Sequence, residues 1–263
     1  MSDTHPSIGE GKTHEEMIRF WDNYAEEYTS MNQGNIPVQI VDRLVNLDIF
    51  RPEDDILEIG SGPGTYSVNI APQVNSLVCL DSSSNMLKRL IDRIEKMEID
   101  NVKTLCMDWM EFNGCKAFDT TIATLCPGSG SPESIKKMER LSRRYCVLIS
   151  WYENHGDDLD SQIWKNLGKD YGYDFRHSTI VQDWLTDHGR EPIVEFYQST
   201  VIKDIPIDTI IRKQEASFRE YGITEGVGDI VMKILSPELD GDILHYKATN
   251  TMKLIYWKSR DSS

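Results

Sequence analysis

From Asp55 to Ser150 the chain alternates short apolar runs with segments of helical period, and this rhythm constrains its fold more than any other feature. The runs are Ile56-Leu57-Glu58-Ile59, Leu77-Val78-Cys79-Leu80, Val102 to Cys106, Thr120 to Leu125 and Cys146 to Ser150. Their length and continuous apolar character mark buried parallel strands. Between the second and third runs, Met86, Leu87, Leu90, Ile91, Ile94 and Met97 keep a helical period. Before the fifth, Ser131-Pro132-Glu133 opens a helix with a capping serine and a proline at its first position. Strands alternating with helices of this length specify an α/β architecture with a doubly wound, mostly parallel sheet.

The flanks extend this frame. Thr13 and Glu16 stand at capping-box spacing, and Met17, Phe20, Trp21, Tyr24 and Tyr28 follow as one aromatic-rich stripe of a first helix. A second helix carries Ile36, Ile40, Val41, Leu44 and Leu47, has Pro37 in its first turn and stops before Arg51-Pro52. Beyond Trp151, Leu159, Ile163, Trp164 and Leu167 mark one helix, and Thr179 to His188, closed by Gly189, marks another. Ile193 to Ile202 and His245 to Trp257 read as longer strands, bringing the expected sheet to seven. The roughly forty residues between them far exceed a hairpin loop and are expected to fold as helices covering a site. The expected organisation is an amino-terminal helical lid over residues 1–50 and an α/β domain over 51–263. Insertions at about 152–190 and 204–243 would cover the substrate site.

Charge narrows the partners. Against 28 Lys+Arg stand 43 Asp+Glu, a formal net charge of -15, so the mean field repels phosphate backbones and anionic headgroups. No nucleic-acid partner is expected. The densest basic clusters, Lys136-Lys137 and Arg143-Arg144, have Glu133 and Glu139 interspersed and read as a solvated helix face. The five cysteines are odd in number, dispersed and free of any CxxC pair, as in a reduced cytosolic protein. Met1 to Thr13 is polar, and no apolar run approaches the ~20 residues of a membrane helix. The expectation is a soluble, cytoplasmic protein with no membrane partner; its oligomeric state is not legible.

The strongest local signal is Leu57-Glu58-Ile59-Gly60-Ser61-Gly62-Pro63-Gly64-Thr65-Tyr66, after an expected strand and before an expected helix. Alternate glycines let the backbone turn tightly and approach a ligand, and a helix amino-terminus would add free N–H groups. A dinucleotide fingerprint requires GxGxxG, but position 65 is Thr and the third glycine arrives one residue early, at Gly64. The segment instead resembles motif I of the class I S-adenosylmethionine (SAM)-dependent methyltransferases, E/D-x-G-x-G-x-G, matched at Glu58, Gly60, Gly62 and Gly64. Phe20 to Tyr28 resembles the aromatic entry helix of the small-molecule methyltransferases of the ubiquinone/menaquinone-biosynthesis group.

That resemblance implies a Rossmann-like methyltransferase fold with SAM as cofactor, and a place for each acid that closes a strand. Asp81, ending the second run, would hold the ribose hydroxyls, its removal sparing the fold. Asp108, after the third run, would accept from the adenine amino group, with Trp109 against the adenine face. Met86 serves equally as an adenine contact or a core methionine. Ser61, Ser82 and Leu125 complete the cofactor-binding candidates. Leu125-Cys126-Pro127-Gly128-Ser129-Gly130 stands where the family places the methionine end of the cofactor and the acceptor. This segment lacks the Asn/Asp-Pro-Pro-aromatic signature of methylases acting on exocyclic and amide nitrogens. Cys126 would shape the pocket or contact substrate as thiol or thiolate, His155 is the candidate general base, and Tyr24 of the entry helix is the third catalytic candidate. No metal is implied. The reading is direct, in-line methyl transfer to a small-molecule acceptor, with an NAD(P)-dependent oxidoreductase or a non-catalytic SAM-binding regulator as alternatives.

Overall fold

The computed structural model describes residues 13–26, 28, 33–155, 159–168, 177–219 and 221–260, excepting the side chains of 153–155 and 177. Five strands follow the expected apolar runs: β1 (Asp55–Ile59), β2 (Ser76–Asp81), β3 (Val102–Cys106), β4 (Phe118–Thr124) and β5 (Ser142–His155). β6 (Ile193–Pro206), the two-residue β7 (Leu239–Asp240) and β8 (Ile243–Lys258) complete an eight-stranded sheet. Its order is β3-β2-β1-β4-β5-β8-β6, with β7 paired to β8. β1 runs parallel to both β2 and β4, β2 to β3, and β4 to β5. The strand order reverses between β1 and β4, and open α/β sheets form a ligand crevice outside the carboxyl ends of strands at such a switch point.

Local chemistry explains the helices. In α1 (His14–Tyr24) the Glu16 N–H donates to Thr13 Oγ1 and the Thr13 N–H to Glu16 Oε2, the expected capping box. α2 (Ile36–Asn46) begins with Pro37 in its first turn and buries Ile36, Ile40, Val41 and Leu44. α3 (Ser67–Ile70) is a single turn, α4 (Ser84–Lys96) is capped by Ser83, and α5 (Pro132–Leu141) by Ser131. α6 (Leu159–Asn166), α7 (His177–Asp187), α8 (Ile207–Arg219) and α9 (Val227–Leu235) follow. The long connection between β6 and β8 therefore folds largely as helix, as its length requires.

The chain divides into two compact units. One comprises Asn35–Tyr152, Phe175–Gln198 and Thr251–Ser263. The central strands β1, β4 and β5 are buried on both faces, alternate residues pointing oppositely, whereas the edge strand β3, expected to be buried, leaves Lys103 and Cys106 exposed. On one face Ile56, Val147, Ile149, Met252 and Leu254 meet α2 and α4. On the other, Leu57, Ile59, Cys146, Leu148, Ile255 and Trp257 meet α5 and α7. Helix α2, grouped with the amino-terminal lid in the sequence reading, thus contributes its apolar face to this unit's core.

The other unit, Met1–Gly34, Glu153–Asp174 and Ser199–Asn250, has a core of its own. There Trp164 of α6 packs on Phe218 of α8 at 4.6 Å and on Tyr221 at 5.2 Å, with Val231 and Leu235 of α9 in the same cluster. In α1, Phe20 stacks on Tyr24 at 5.8 Å, and Trp21 meets Tyr28, beyond the helix end, edge-on at 6.3 Å.

The solvated-helix reading of the basic pairs holds for Lys136, exposed on α5, and is corrected for the other three residues. Lys137 is buried, with Nζ donating to the Met110 carbonyl and lying 5.4 Å from the Trp109 ring centre. Arg143 and Arg144 belong to β5, and pair with Asp119 at 3.0 Å and Asp54 at 2.7 Å. Among the described residues no helix is long and apolar enough to cross a membrane.

Candidate functional site

β1 delivers the chain into Gly60–Gly64 at the switch point. The N–H groups of Gly60 and Ser61 both donate to the Leu80 carbonyl, at 2.8 and 3.1 Å, which stitches the loop to the end of β2. The Gly62 N–H donates to Asp81 Oδ2 at 2.8 Å, and Gly64 N–H closes on the Ser61 carbonyl at 3.0 Å. All three glycines have positive φ, +69°, +51° and +81°. Their surroundings differ. A Cβ at Gly60 would come 2.6 Å from Cys126 Cβ, and one at Gly64 would strike Leu90, whereas a Cβ at Gly62 would meet nothing within 4 Å. The loop is sealed at both ends and open at its apex.

The three acids are placed differently. Glu58 is fully buried and points away from the open apex, into the face shared with Ile56. Its Oε2 accepts from Ser67 Oγ at 2.5 Å and from Cys79 Sγ at 3.6 Å, and its Oε1 from Thr124 Oγ1 at 2.9 Å. Burial pushes the carboxyl up to about 7 against the opposing pull of these hydrogen bonds. Thr124 Oγ1 also lies 3.3 Å from the Gly60 carbonyl, so Glu58 fastens the loop's first residue to β4. Ser67 and Thr124, the residues that make this tie, carry no sequence signal of the role.

Asp81 is half-buried at the rim, its Oδ2 holding the Gly62 N–H and its Oδ1 the Ser83 N–H at 2.8 Å. Asp108 Oδ1 accepts from the Met110 N–H at 2.8 Å. Ser82 contributes its carbonyl to Cys106 Sγ at 3.7 Å, while Ser83 is the helix cap, accepting from the buried Met86 N–H. The expected helix amino-terminus is corrected. α3 has only four residues, and so short a helix has little dipole to offer an anion.

At the end of β4, Leu125 adopts φ +54°, an uncommon conformation for a branched residue. Its N–H donates to the Ile149 carbonyl at 3.0 Å, and the twist presses Cys126 against Gly60. Desolvation pushes the Cys126 thiol up to about 12, so it is a thiol at neutral pH and the thiolate option falls. Trp109 is buried, and its indole edge faces Gly128 with Nε1 3.4 Å from where a Cβ would stand. The Nε1 of Trp109 and the hydroxyls of Ser61 and Thr65 are buried and find no hydrogen-bond partner among the described residues. Three idle polar atoms around an open glycine loop fit a polar ligand with nitrogen and oxygen acceptors, as a nucleoside with an amino-acid tail has.

His155 closes β5, and its side chain lies outside the described residues, as do His5 and the side chain of His177. His188 Nδ1 donates to the Trp184 carbonyl at 2.8 Å and the ring stacks on the Trp184 side chain at 4.0 Å, an end-of-helix contact. Tyr24 lies in the aromatic cluster of α1. Among the described residues no group of three His, Cys, Asp or Glu side chains forms a metal site.

Residues 56–145 match the family model described as "Methyltransferase domain", a span from the start of β1 into β5 that includes the loop and all three acids. This segment is similar to methyltransferase domains. The domain's cofactor is SAM, whose nucleoside and amino-acid parts answer to the idle polar atoms above. Two solved structures share the fold. The chain superposes on a SAM-dependent methyltransferase from Aquifex aeolicus with TM-score 0.50 and 11% identity, covering 95% of this chain and 100% of that one. The YcgJ protein of Bacillus subtilis gives 0.51 and 12%, covering 85% and 99%. Among curated proteins, the "Probable ribosomal RNA small subunit methyltransferase A" of Methanosarcina acetivorans is 28% identical over 118 residues. That match covers 45% of this chain and 42% of the relative, so the chain spans less than half the length of the curated protein. The methyltransferase domain thus accounts for the sheet's first half, and the chain's second unit lies outside the matched residues.

Proposed function

We propose that the chain is a SAM-dependent methyltransferase acting on a small-molecule acceptor. The observation that carries this reading is the apex of the glycine loop. Gly62 opens on free space while Gly60 and Gly64 are sealed, and Asp81 holds the Gly62 N–H at the rim. In this reading Gly60, Ser61, Gly62 and Gly64 hold the amino-acid tail and Asp81 and Ser82 the ribose. Met86, Asp108, Trp109 and Leu125 bound the base and the methionine end, and Glu58 acts through Ser67 and Thr124 as a positioning residue. SAM, when bound, supplies a methyl group already activated on a sulfonium, suited to in-line displacement. The protein's task is then to align the acceptor, exclude water and take a proton if the nucleophile carries one. His155 and Tyr24 are assigned to the acceptor side, His155 as base, and Cys126 shapes the pocket as a neutral thiol.

Calorimetry with SAM, S-adenosylhomocysteine and NAD(H) tests the cofactor: both sulfur nucleosides bind and the dinucleotides do not. Binding of NAD(H) alone would make the chain an oxidoreductase. Incubation with methyl-labelled SAM and a cell extract tests turnover, the label appearing in a dialysable small molecule. An RNA acceptor is the second reading, favoured by the name of the Methanosarcina relative and opposed by the net charge of -15. Label that is retained on dialysis and released by ribonuclease would establish it. Cofactor binding without labelled product would leave a SAM-binding regulator.

A further inference from the structure

β5 overruns its neighbour. Its register with β4 ends at Thr124↔Ile149, and Ser150, Trp151 and Tyr152 continue past the carboxyl end of the parallel strands. Ser150 and Tyr152 share the face of Cys146 and Leu148, towards α7. On β8, which adjoins β5, Lys253 shares that same face with Ile255 and Trp257. Lys253 interrupts the apolar run Met252-Leu254-Ile255-Tyr256 and is only 2% exposed. A buried ammonium is costly unless it is paired and fully hydrogen-bonded. Here Nζ has one long contact, 3.5 Å to the Ser178 carbonyl, and lies 6.0 Å from the Tyr152 ring centre. Among the described residues no carboxylate forms an ion pair with it. Asp183 of α7, an exposed residue, acts only at longer range, and burial lowers the lysine's pKa.

Two hydroxyls, one on Ser178, whose carbonyl Lys253 contacts, and one on the same face of β5, are idle too. Ser178 Oγ, at 0% exposure, and Ser150 Oγ, at 8%, have no hydrogen-bond partner among the described residues. At the margin of the cluster, Tyr152 meets Phe196 of β6 at 4.7 Å, and Phe196 remains 53% exposed. The cluster thus combines a cation, two donor hydroxyls and an aromatic border, which is the chemistry that holds an oxyanion attached to a flat apolar body.

We infer that Lys253 and the Ser178 hydroxyl form an oxyanion subsite that takes the carboxylate of an aromatic acceptor. This rests on the methyltransferase reading for the word acceptor alone; the subsite itself stands on the cluster. Ser150 is the further donor on the same face.

The full chain, saturated with S-adenosylhomocysteine, is titrated with sodium benzoate at constant ionic strength, with benzamide as the neutral control. Benzoate binds and benzamide does not. Lys253→Met weakens benzoate by at least about 10-fold, the loss expected for one charge-assisted hydrogen bond, and leaves the nucleoside affinity unchanged. The same variant melts at a higher temperature, because it removes an unpaired buried charge. Ser178→Ala, which keeps the charge, weakens benzoate about 3-fold. Absence of benzoate binding, equal binding in both variants, or a lower melting temperature for Lys253→Met would each overturn the inference, the last by showing a structural lysine. If the nucleoside fails to bind the wild-type chain, the methyltransferase reading fails, and benzoate titration of the nucleoside-free chain still decides the subsite.

Discussion

Glu58 and Lys253 are both buried ionisable side chains in the same sheet unit, and the fold treats them in opposite ways. Glu58, at 0% exposure, receives hydrogen bonds from Ser67, Thr124 and Cys79. Lys253, at 2%, has one long contact to a carbonyl and idle hydroxyls around it. Satisfaction marks the first as architecture: its carboxyl joins β1, β2, α3 and β4 directly beneath the glycine loop. Deficit marks the second as a place where something else completes the hydrogen bonding. The difference can be broken by mutation, because removing a satisfied group strands its partners and removing an unsatisfied one strands nothing.

The largest effect falls on Glu58. Glu58→Ala leaves the Ser67 and Thr124 hydroxyls and a cavity inside the sheet's face, and costs roughly 3–5 kcal/mol in urea unfolding. Loss below 1 kcal/mol would mean that the tie carries no weight. The next effect is its titration. Because burial holds the folded carboxyl at about 7 against 4.5 in the unfolded chain, the native state binds more protons across that interval. Unfolding free energy therefore falls as pH rises from about 4.5 to about 7, by roughly 3 kcal/mol at most. Glu58→Gln, which cannot titrate, removes that component of the slope. Melting curves of the two proteins from pH 4.5 to 7.5 measure it; parallel curves would place the Glu58 carboxyl at its ordinary value.

Asp81 lies between these extremes. The sequence placed it as a ribose acceptor whose loss would spare the fold. In the structure its two oxygens hold the Gly62 and Ser83 N–H groups. Asp81→Ala is thus expected to cost about 1–2 kcal/mol of stability as well as more than about 10-fold in S-adenosylhomocysteine affinity. Thermal shift and calorimetry on one variant separate the two losses. Unchanged nucleoside affinity would remove Asp81 from the site.

What the sequence made legible follows from which residues have obligatory conformations. Gly60, Gly62 and Gly64 announce positive φ, Ser131-Pro132 announces a helix start, and short apolar runs announce buried strands, so the switch-point loop and its acids were readable. The shortness of α3 also had a signal, Pro72, which has no N–H to carry the α-helical ladder onward, and the chain tightens into a 3-10 turn at Ala71–Gln73. Lys137 was misplaced on a solvated face because nothing local reveals that Trp109 and the Met110 carbonyl, from beyond β3, come to cover it. Arg143 and Arg144 were misplaced because β5 begins at Ser142, inside a segment whose composition continues the helix. Lys253 was visible as a charge in the apolar run from Met252 to Tyr256, but only the third dimension sets Ser178 and Tyr152 beside it.

The smallest and cleanest contrast uses two serines that are equally buried, both at 0% exposure. Ser67 Oγ donates to Glu58 at 2.5 Å; Ser178 Oγ has no partner among the described residues. Each is changed to Ala, so the lost volume and the lost hydroxyl are the same. Ser67→Ala leaves a buried carboxylate short of a donor and costs about 1–2 kcal/mol. Ser178→Ala removes a hydroxyl that was desolvated without compensation, and stability stays within about 0.5 kcal/mol or rises. A common loss of 1 kcal/mol or more in both variants would mean that Ser178 is satisfied in solution, by water or by backbone, and that the deficit around Lys253 is smaller than its contacts imply. A loss confined to Ser67 would show that two serines with the same exposure differ by what their oxygens touch, the distinction that separates the anchor under the glycine loop from the receptor at the end of β5.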